Sequence, residues 1–565
     1  MSTRRSPSID RRWILAFLVA ALVLVLACCW LASAAIDWVQ KPRETPTPAA
    51  GGTTGFTVAY SPEKQALFTQ LASEFNRQGA TTPEGQPIQV DIVPLAPDAM
   101  LDAMVGGSAT FQAITPDSSI WLEQLDTEWG DAHAGAQAVG ETVRYAVSPV
   151  VIAMWESKAR EMGWPQNPVS WQDLLSRAQA DPSFRWSHPS TSAASGVLAV
   201  LAEFYAAAGK TRGLTIEDVK LQANLDYVAA LEKTVRYYGE GDETALVERA
   251  LSEGAAFLDA FVVQEQMVVY FNQARQGQER LVALYPAEGT LWQDHPLALL
   301  ETAALTTYQR QAFARFQDYL LSAEAQKLIL DHGYRPSDYT IPHDGPGSPI
   351  TAENGADPAE PQTTLQVPGA SVISVVRDVW WYTKRHANVY LVADRSGSMS
   401  SEDKLPQAKL AFSTFLDQIQ GDSERVGLIT FSSFVETTVP IAELGSNRTA
   451  LQMAIGQLEA GGDTALLDAV DEAYRQLQAY GDTERINAIV VMTDGKENAS
   501  YTSLRGLVTE LSRSSSVEVL VFCVAYGDDA DMEMLQAIAE PSGGRALRGD
   551  PETIQSLYKI LSQYF

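Results

Sequence analysis

The sequence predicts an α/β protein in two folded blocks, preceded by an N-terminal transmembrane helix. Three observations carry this. Short apolar strands alternate with amphipathic helices twice along the chain. Two Pro- and Gly-rich stretches separate these regions. A long uncharged apolar run stands near the start. The expected division is 1–40 as cytoplasmic tip and anchor, 41–54 as linker, 55–341 as first block, 342–369 as linker and 370–565 as second block.

The chain has 565 residues, too many for one core and enough for roughly three or four domains. Its apolar fraction of 46% is that of a globular protein. The formal net charge of −29 excludes nucleic acid as the expected partner, because a phosphate-binding face needs clustered Lys and Arg. Three cysteines, Cys28, Cys29 and Cys523, allow no disulfide framework and show no metal-binding spacing. Cys523 lies in the strand-like run 517–525 and is expected to be a small buried apolar residue.

From Trp13 to Ile36 there are 24 residues without a charge, enough for a helix to span about 30 Å of hydrocarbon. Arg4, Arg5, Arg11 and Arg12 precede the run, so the positive-inside rule keeps the N-terminus cytoplasmic and sends the rest outside. The alternatives are a cleaved signal, whose apolar core is usually shorter, and a lipoprotein signal ending at Val25-Leu26-Ala27-Cys28. All three place the bulk of the chain outside the cytoplasm.

In the first block Phe56–Tyr60 reads as a strand. Ser61 and Pro62 then open a helix whose stripe is Leu67, Leu71 and Phe75. Ile88–Val93 is the next strand, and Val147–Trp155 is an apolar run suited to a central strand. Loops that precede helices are the expected ligand contacts. Ser192, Ser195 and Gly196 lead into an apolar helix whose free N–H groups attract an anion or polar oxygen, and Ser118 and Ser119 are placed to face them. Glu265 and Tyr270 are weaker candidates, and capping is the competing role for the serines. Trp155, Trp164, Trp171 and Trp186 read as core.

The second block alternates strands at 389–393, 426–431, 487–493 and 517–525 with helices at 404–419, 465–477, 531–540 and 552–562. That is an open doubly wound sheet, in which ligands bind at the carboxyl ends of strands. Asp394, Ser396 and Ser398 leave such an end at alternate positions. Gly462-Asp463-Thr464 and Thr493-Asp494-Gly495 are placed to join them. Carboxylate and hydroxyl oxygens in this pattern suit a small hard cation. A serine nucleophile is not expected at Ser396: the nearest histidine in sequence, His386, precedes the strand, and a nucleophile needs a base within hydrogen-bond reach.

These motifs resemble the metal-ion-dependent adhesion site of the von Willebrand factor A domain. Asp394-x-Ser396-x-Ser398 matches its first element, Thr464 its second and Asp494 its third. The resemblance implies a Rossmann-like fold and a divalent cation, with Mg2+ preferred over Mn2+ or Ca2+. It implies that Ser396 and Ser398 bind the ion directly and Asp394 largely through water, and that Thr464 and Asp494 exchange direct contact between states. A partner protein's Asp or Glu would fill the open position.

The first block resembles an extracytoplasmic solute-binding protein of the periplasmic type. The resemblance runs through Tyr60-Ser61-Pro62-Glu63-Lys64, Ile114-Thr115-Pro116-Asp117-Ser118-Ser119 and Phe313–Gln326, and closes at Gly333-Tyr334-Arg335-Pro336. It implies two α/β lobes, about 55–148 with 297–341 and about 149–296, holding a small molecule or peptide between them. The expected protein is a membrane-anchored extracytoplasmic binding protein and not an enzyme. The alternatives are a transporter-associated substrate-binding component and a surface scaffold without a small ligand. The 342–369 linker is expected to oppose rigid transmission between the blocks.

Overall fold

The computed structural model describes residues 55–565, apart from 240–242, 402, 514, 516, 528, 551 and 552. The expected membrane segment Trp13–Ile36 and the 41–54 linker lie outside the described residues. Among the described residues, no helix is long and apolar enough to cross a membrane.

The first block contains twelve strands: β1 (Phe56–Tyr60), β2 (Val90–Pro94), β3 (Ala113–Thr115), β4 (Val139–Arg144), β5 (Ala146–Trp155), β6 (Trp186–Pro189), β7 (Tyr238–Gly239), β8 (Ala260–Gln264), β9 (Leu281–Leu284), β10 (Trp292–Gln293), β11 (Pro296–Leu300) and β12 (Arg335–Pro336). They form two sheets, ordered β2-β1-β3-β11-β4 and β10-β5-β8-β6-β7, with β9 and β12 also paired to β5. The chain crosses between sheets from β4 to β5 and from β10 to β11, which makes two lobes. Leu67, Leu71 and Phe75 are buried on the helix Gln65–Gln78, as its stripe predicts. Ser61 does not cap that helix through its side chain; its hydroxyl donates to Glu63 at 2.7 Å.

The second block is a six-stranded sheet: β13 (Ala387–Asp394), β14 (Arg425–Phe431), β15 (Val435–Glu443), β16 (Ile486–Thr493), β17 (Val519–Tyr526) and β18 (Arg545–Gly549). The order is β15-β14-β13-β16-β17-β18, parallel except for β15. β13, β16 and β17 are buried along their whole length, as central strands with both faces covered must be. The edge strands β15 and β18 and the helix Leu504–Leu511 have no counterpart in the expected elements. Both edge strands are only partly buried and lack a continuous apolar run.

The 342–369 segment departs from a free linker. Ile350, Ala356 and Leu365 are buried. The Gly355 carbonyl accepts from the amide of Ala283 at 2.8 Å, and the Leu365 amide donates to Thr290 at 3.0 Å. Lobe two exposes backbone groups at these edges, and the segment satisfies them. The helix Ala370–Thr383 then lies on the helices Ala194–Ala208 and Gln222–Glu232 of lobe two. Its apolar stripe of Val372, Ile373, Val376 and Trp380 is buried there. One continuous apolar core joins lobe two to the second block, and Tyr237 stacks on Tyr564 with ring centroids 5.6 Å apart. The expectation of loosely tethered blocks is therefore corrected: an apolar face on the Ala370–Thr383 helix is buried against its neighbour.

Candidate metal centre and solute cleft

β13 ends at Asp394, whose Oδ1 accepts from the amide of Ser396 at 2.7 Å. This turn folds the chain back so that both serines face the sheet end. Oδ2 of Asp394 accepts from the Thr493 hydroxyl at the tip of β16. Both oxygens of this buried carboxylate are thus held by the chain. Burial, with a smaller push from Asp494, raises its pKa to about 6.

The remaining oxygens converge. Ser396 Oγ is 3.0 Å from Ser398 Oγ, and Ser398 Oγ donates to Asp494 Oδ1 at 2.6 Å. A Cβ on Gly495 would stand 3.0 Å from Thr464 Oγ1 and 3.5 Å from Ser398 Oγ, so these two hydroxyls flank one point on the backbone. The Thr464 amide donates to the Asn498 side chain at 2.9 Å, which fixes the Thr464 loop. The Gly397 amide donates to the Gly462 carbonyl at 2.9 Å and joins the two loops. Ser396, Ser398, Thr464 and Asp494 therefore meet around an open cavity of about 370 Å3 that Asp463, Lys496 and Asp529 also line, while Asp394 stands behind it with both oxygens bonded to Ser396 and Thr493.

This donor set fits a hard divalent cation. It offers only oxygens, and bonds of about 2.0–2.1 Å in an octahedron put neighbouring ligand oxygens about 3 Å apart. The Ser396–Ser398 separation of 3.0 Å matches such an edge. Lys404 was not foreseen. It lies on the helix Lys404–Gln418, nearly buried, and its ammonium stands 2.8 Å from Asp494 Oδ2. Ninety positions separate the two residues, so no local pattern could reveal the pair.

In the first block the serines have local roles. Ser118 Oγ accepts weakly from the amide of Ile120 at 3.4 Å, and the Ser119 amide donates to Asp294 at 2.7 Å. The hydroxyls of Ser192 and Ser190 lie 2.6 Å apart. Gly196 is a packing position: a Cβ there would sit 2.1 Å from the Ser190 carbonyl oxygen and 2.3 Å from that of Pro189. Ser195 is buried near Glu243, a carboxylate held by the Gln264 amide at 3.0 Å and by Gln293, so negative charge already stands close to this helix start. Glu265 is tied to Arg335 by two hydrogen bonds of 2.9 and 2.7 Å, and Tyr270 is more than one-third exposed. Trp155, Trp171 and Trp186 are buried in the core, with Trp164 packed against it.

Sequence reasoning missed the polar groups between the lobes. Lys64 donates to the Pro116 carbonyl at 2.7 Å, His295 Nε2 lies 3.1 Å from Gln264 Oε1, and Gln293 donates to Glu243 at 3.2 Å. Burial raises the pKa of Glu63 and Glu243 to about 7 and that of Asp117 to about 6. It lowers that of Lys64 to about 8. Lys64, Asp117 and Glu63 sit on loops and a short helical turn, where periodicity carries no signal.

Comparison with known proteins agrees with this architecture. Residues 56–335 match the family described as bacterial extracellular solute-binding protein, and residues 388–559 match the von Willebrand factor type A domain. The chain thus carries a bacterial solute-binding domain followed by a C-terminal von Willebrand A domain. It is 26% identical over 365 residues to human inter-alpha-trypsin inhibitor heavy chain H4, covering 58% of this chain and 37% of that one. It is 24% identical over 520 residues to an uncharacterized protein of Mycobacterium tuberculosis, covering 87% of this chain and 74% of that one. Among solved structures, the sulfate-binding protein of Mycobacterium tuberculosis aligns at 19% identity and TM-score 0.37, over 51% of this chain and 88% of that one. A von Willebrand factor type A structure from Catenulispora acidiphila aligns at 22% identity and TM-score 0.28, over 32% of this chain and 43% of that one. Together the two domains support a ligand-binding and protein-interaction role.

Proposed function

We propose that this chain is a membrane-anchored extracytoplasmic binding protein that grips a partner protein through a divalent cation, Mg2+ in the first instance. Asp394, Ser396, Ser398, Thr464 and Asp494 hold the ion, and a partner's Asp or Glu completes its shell. The cation supplies the charge that draws the incoming carboxylate. The observation that carries this reading is the convergence of Ser396, Ser398, Thr464 and Asp494, from three separate segments, on one open cavity, with Asp394 holding the Ser396 turn behind them. Asp394 orients the serines, and Asp494 shares its charge between Ser398 and Lys404. The reading is of a binding protein without a reaction.

The solute-binding domain captures a small ligand between its lobes. Glu63, Asp117 and Glu243 outnumber Lys64 there, and all four are buried, so a solute carrying hydrogen-bond donors or positive charge is favoured. The N-terminal apolar run and the basic residues before it support the anchor and the outside location.

A pull-down from cell envelopes tests the metal grip. Wild-type chain in Mg2+ is expected to retain a partner that is lost in EDTA and with Asp394→Ala. Equal recovery under all three conditions would overturn the reading.

A further inference from the structure

We propose a second, buried metal site formed by His188, Glu203 and Glu232, taking a divalent first-row transition metal with Zn2+ as the best fit. The three side chains come from β6, the helix Ala194–Ala208 and the end of the helix Gln222–Glu232. All three are fully buried, and one ligand atom from each lies within 4.8 Å of the others.

The hydrogen bonds assign the atoms. His188 Nδ1 lies 2.7 Å from the Pro189 carbonyl, which can only accept, so Nδ1 carries a proton. A histidine that ligates a metal almost always gives its other N–H to a carbonyl or carboxylate in this way. The second nitrogen, Nε2, is left pointing at Glu232 Oε2 across 3.3 Å. In a neutral ring that is a lone pair facing a carboxylate oxygen, an arrangement that needs either a second proton on the ring or a metal ion between the two atoms. Tetrahedral bonds to Zn2+ of about 2.0–2.2 Å put ligand atoms about 3.3–3.6 Å apart, which the observed gap matches.

Glu203 supplies the independent sign. Neither of its carboxylate oxygens has a hydrogen-bond partner, although the side chain is wholly buried. Two unanswered oxygens on a buried carboxylate are a large penalty unless a cation answers them. Glu232 is already oriented: the Tyr238 hydroxyl donates to Oε2 at 2.7 Å, and Trp380 Nε1 donates to Oε1 at 3.1 Å. One divalent ion would neutralise the two carboxylates and leave the imidazole uncharged. The donors are one nitrogen and two oxygens, a softer set than the all-oxygen strand tip, so the two sites would sort different metals.

Trp380 belongs to the helix Ala370–Thr383, which leads into the von Willebrand A domain. An ion bound through Glu232 would therefore brace the contact on which that helix rests.

The test uses the full chain with Asp394→Ala, so that the strand-tip site contributes no metal. After exposure to Zn2+ and exhaustive dialysis, elemental analysis is expected to find one equivalent retained. Adding Glu203→Gln, a near-isosteric change, should remove it. Co2+ replacement should give visible absorption bands that His188→Ala abolishes, and a strong chelator should lower Tm in the parent but not in the Glu203→Gln form. Absence of stoichiometric metal in the folded parent would overturn the proposal. So would a chelator-independent Tm that Glu203→Gln raises, since Glu203 would then be a neutral acid sharing its proton with Glu232. Neither result depends on the strand-tip reading.

Discussion

The Lys404 ammonium stands 2.8 Å from Oδ2 of Asp494, on the side opposite the oxygen that faces Ser398. The strand-tip centre thus contains a fixed positive charge of its own. A cation entering beside Ser398 shares Asp494 with that ammonium.

Replacing Lys404 with Met removes the competing charge and keeps the aliphatic stem. Two charges about 5 Å apart repel by a few kcal/mol at an effective dielectric of about 20. Allowing for relaxation, divalent affinity should rise about tenfold, or about 1.4 kcal/mol. Titration calorimetry with Mg2+ and Mn2+ reads this directly, and an unchanged or weaker affinity means that Lys404 mainly orients Asp494.

Glu243 gives the cleft a pH dependence. Its pKa is raised from 4.5 to about 7, chiefly by burial, so the folded state holds a proton that the unfolded state has already released. Stability should therefore fall as pH rises from about 4.5 to about 7 and level off above that. Glu243→Gln should flatten this fall and stabilise the chain at pH 8 by about 1–3 kcal/mol. Thermal melts across pH 4–8 measure it; parallel curves for the two forms would show that Glu243 is not the titrating group.

Gly196→Ala is expected to be severe. The added Cβ would meet two backbone carbonyl oxygens at 2.1 and 2.3 Å, and backbone cannot rotate away as a side chain can. A loss of about 2–4 kcal/mol should appear in denaturant unfolding. A neutral outcome would mean that the turn at Pro189-Ser190 is free to shift.

Trp380→Ala tests the union of the two domains. The indole is buried against lobe two and bonded to Glu232. Truncation should remove about 3–5 kcal/mol and split one cooperative melt into two, with new proteolysis near residue 384. A single unsplit transition would place the coupling elsewhere, for instance at the Tyr237–Tyr564 stack.

The local reading succeeded where a short pattern holds the needed information. Residues 389–393 are uninterrupted apolar positions, and the observed β13 extends them by two residues before and one after. Asp394, Ser396 and Ser398 lie within five residues at a strand end, and the turn closed by Asp394 and the Ser396 amide gives them their shared direction. The edge strand β15, Val435–Glu443, was missed because its alternation is blurred by bulges in its pairing with β14. Ser195 and Gly196 were expected in the loop before a helix and lie inside its first turn, since the helix begins at Ala194. What meets them there, Glu243 and the Pro189-Ser190 carbonyls, was invisible locally.

The sequence alone determined the two α/β blocks, the strand tip that carries the acidic and hydroxyl side chains, and the three segments able to meet there. These follow from periodicity and from chemistry confined to a few neighbouring residues. Only the tertiary structure decided that Lys404 sits on Asp494, that residues 342–369 lie along lobe two, and that Trp380 reaches Glu232 beside His188 and Glu203. Each of these joins residues far apart in the chain. Such pairs arise when apolar faces are buried, and periodicity shows that a face exists without showing which face it will meet.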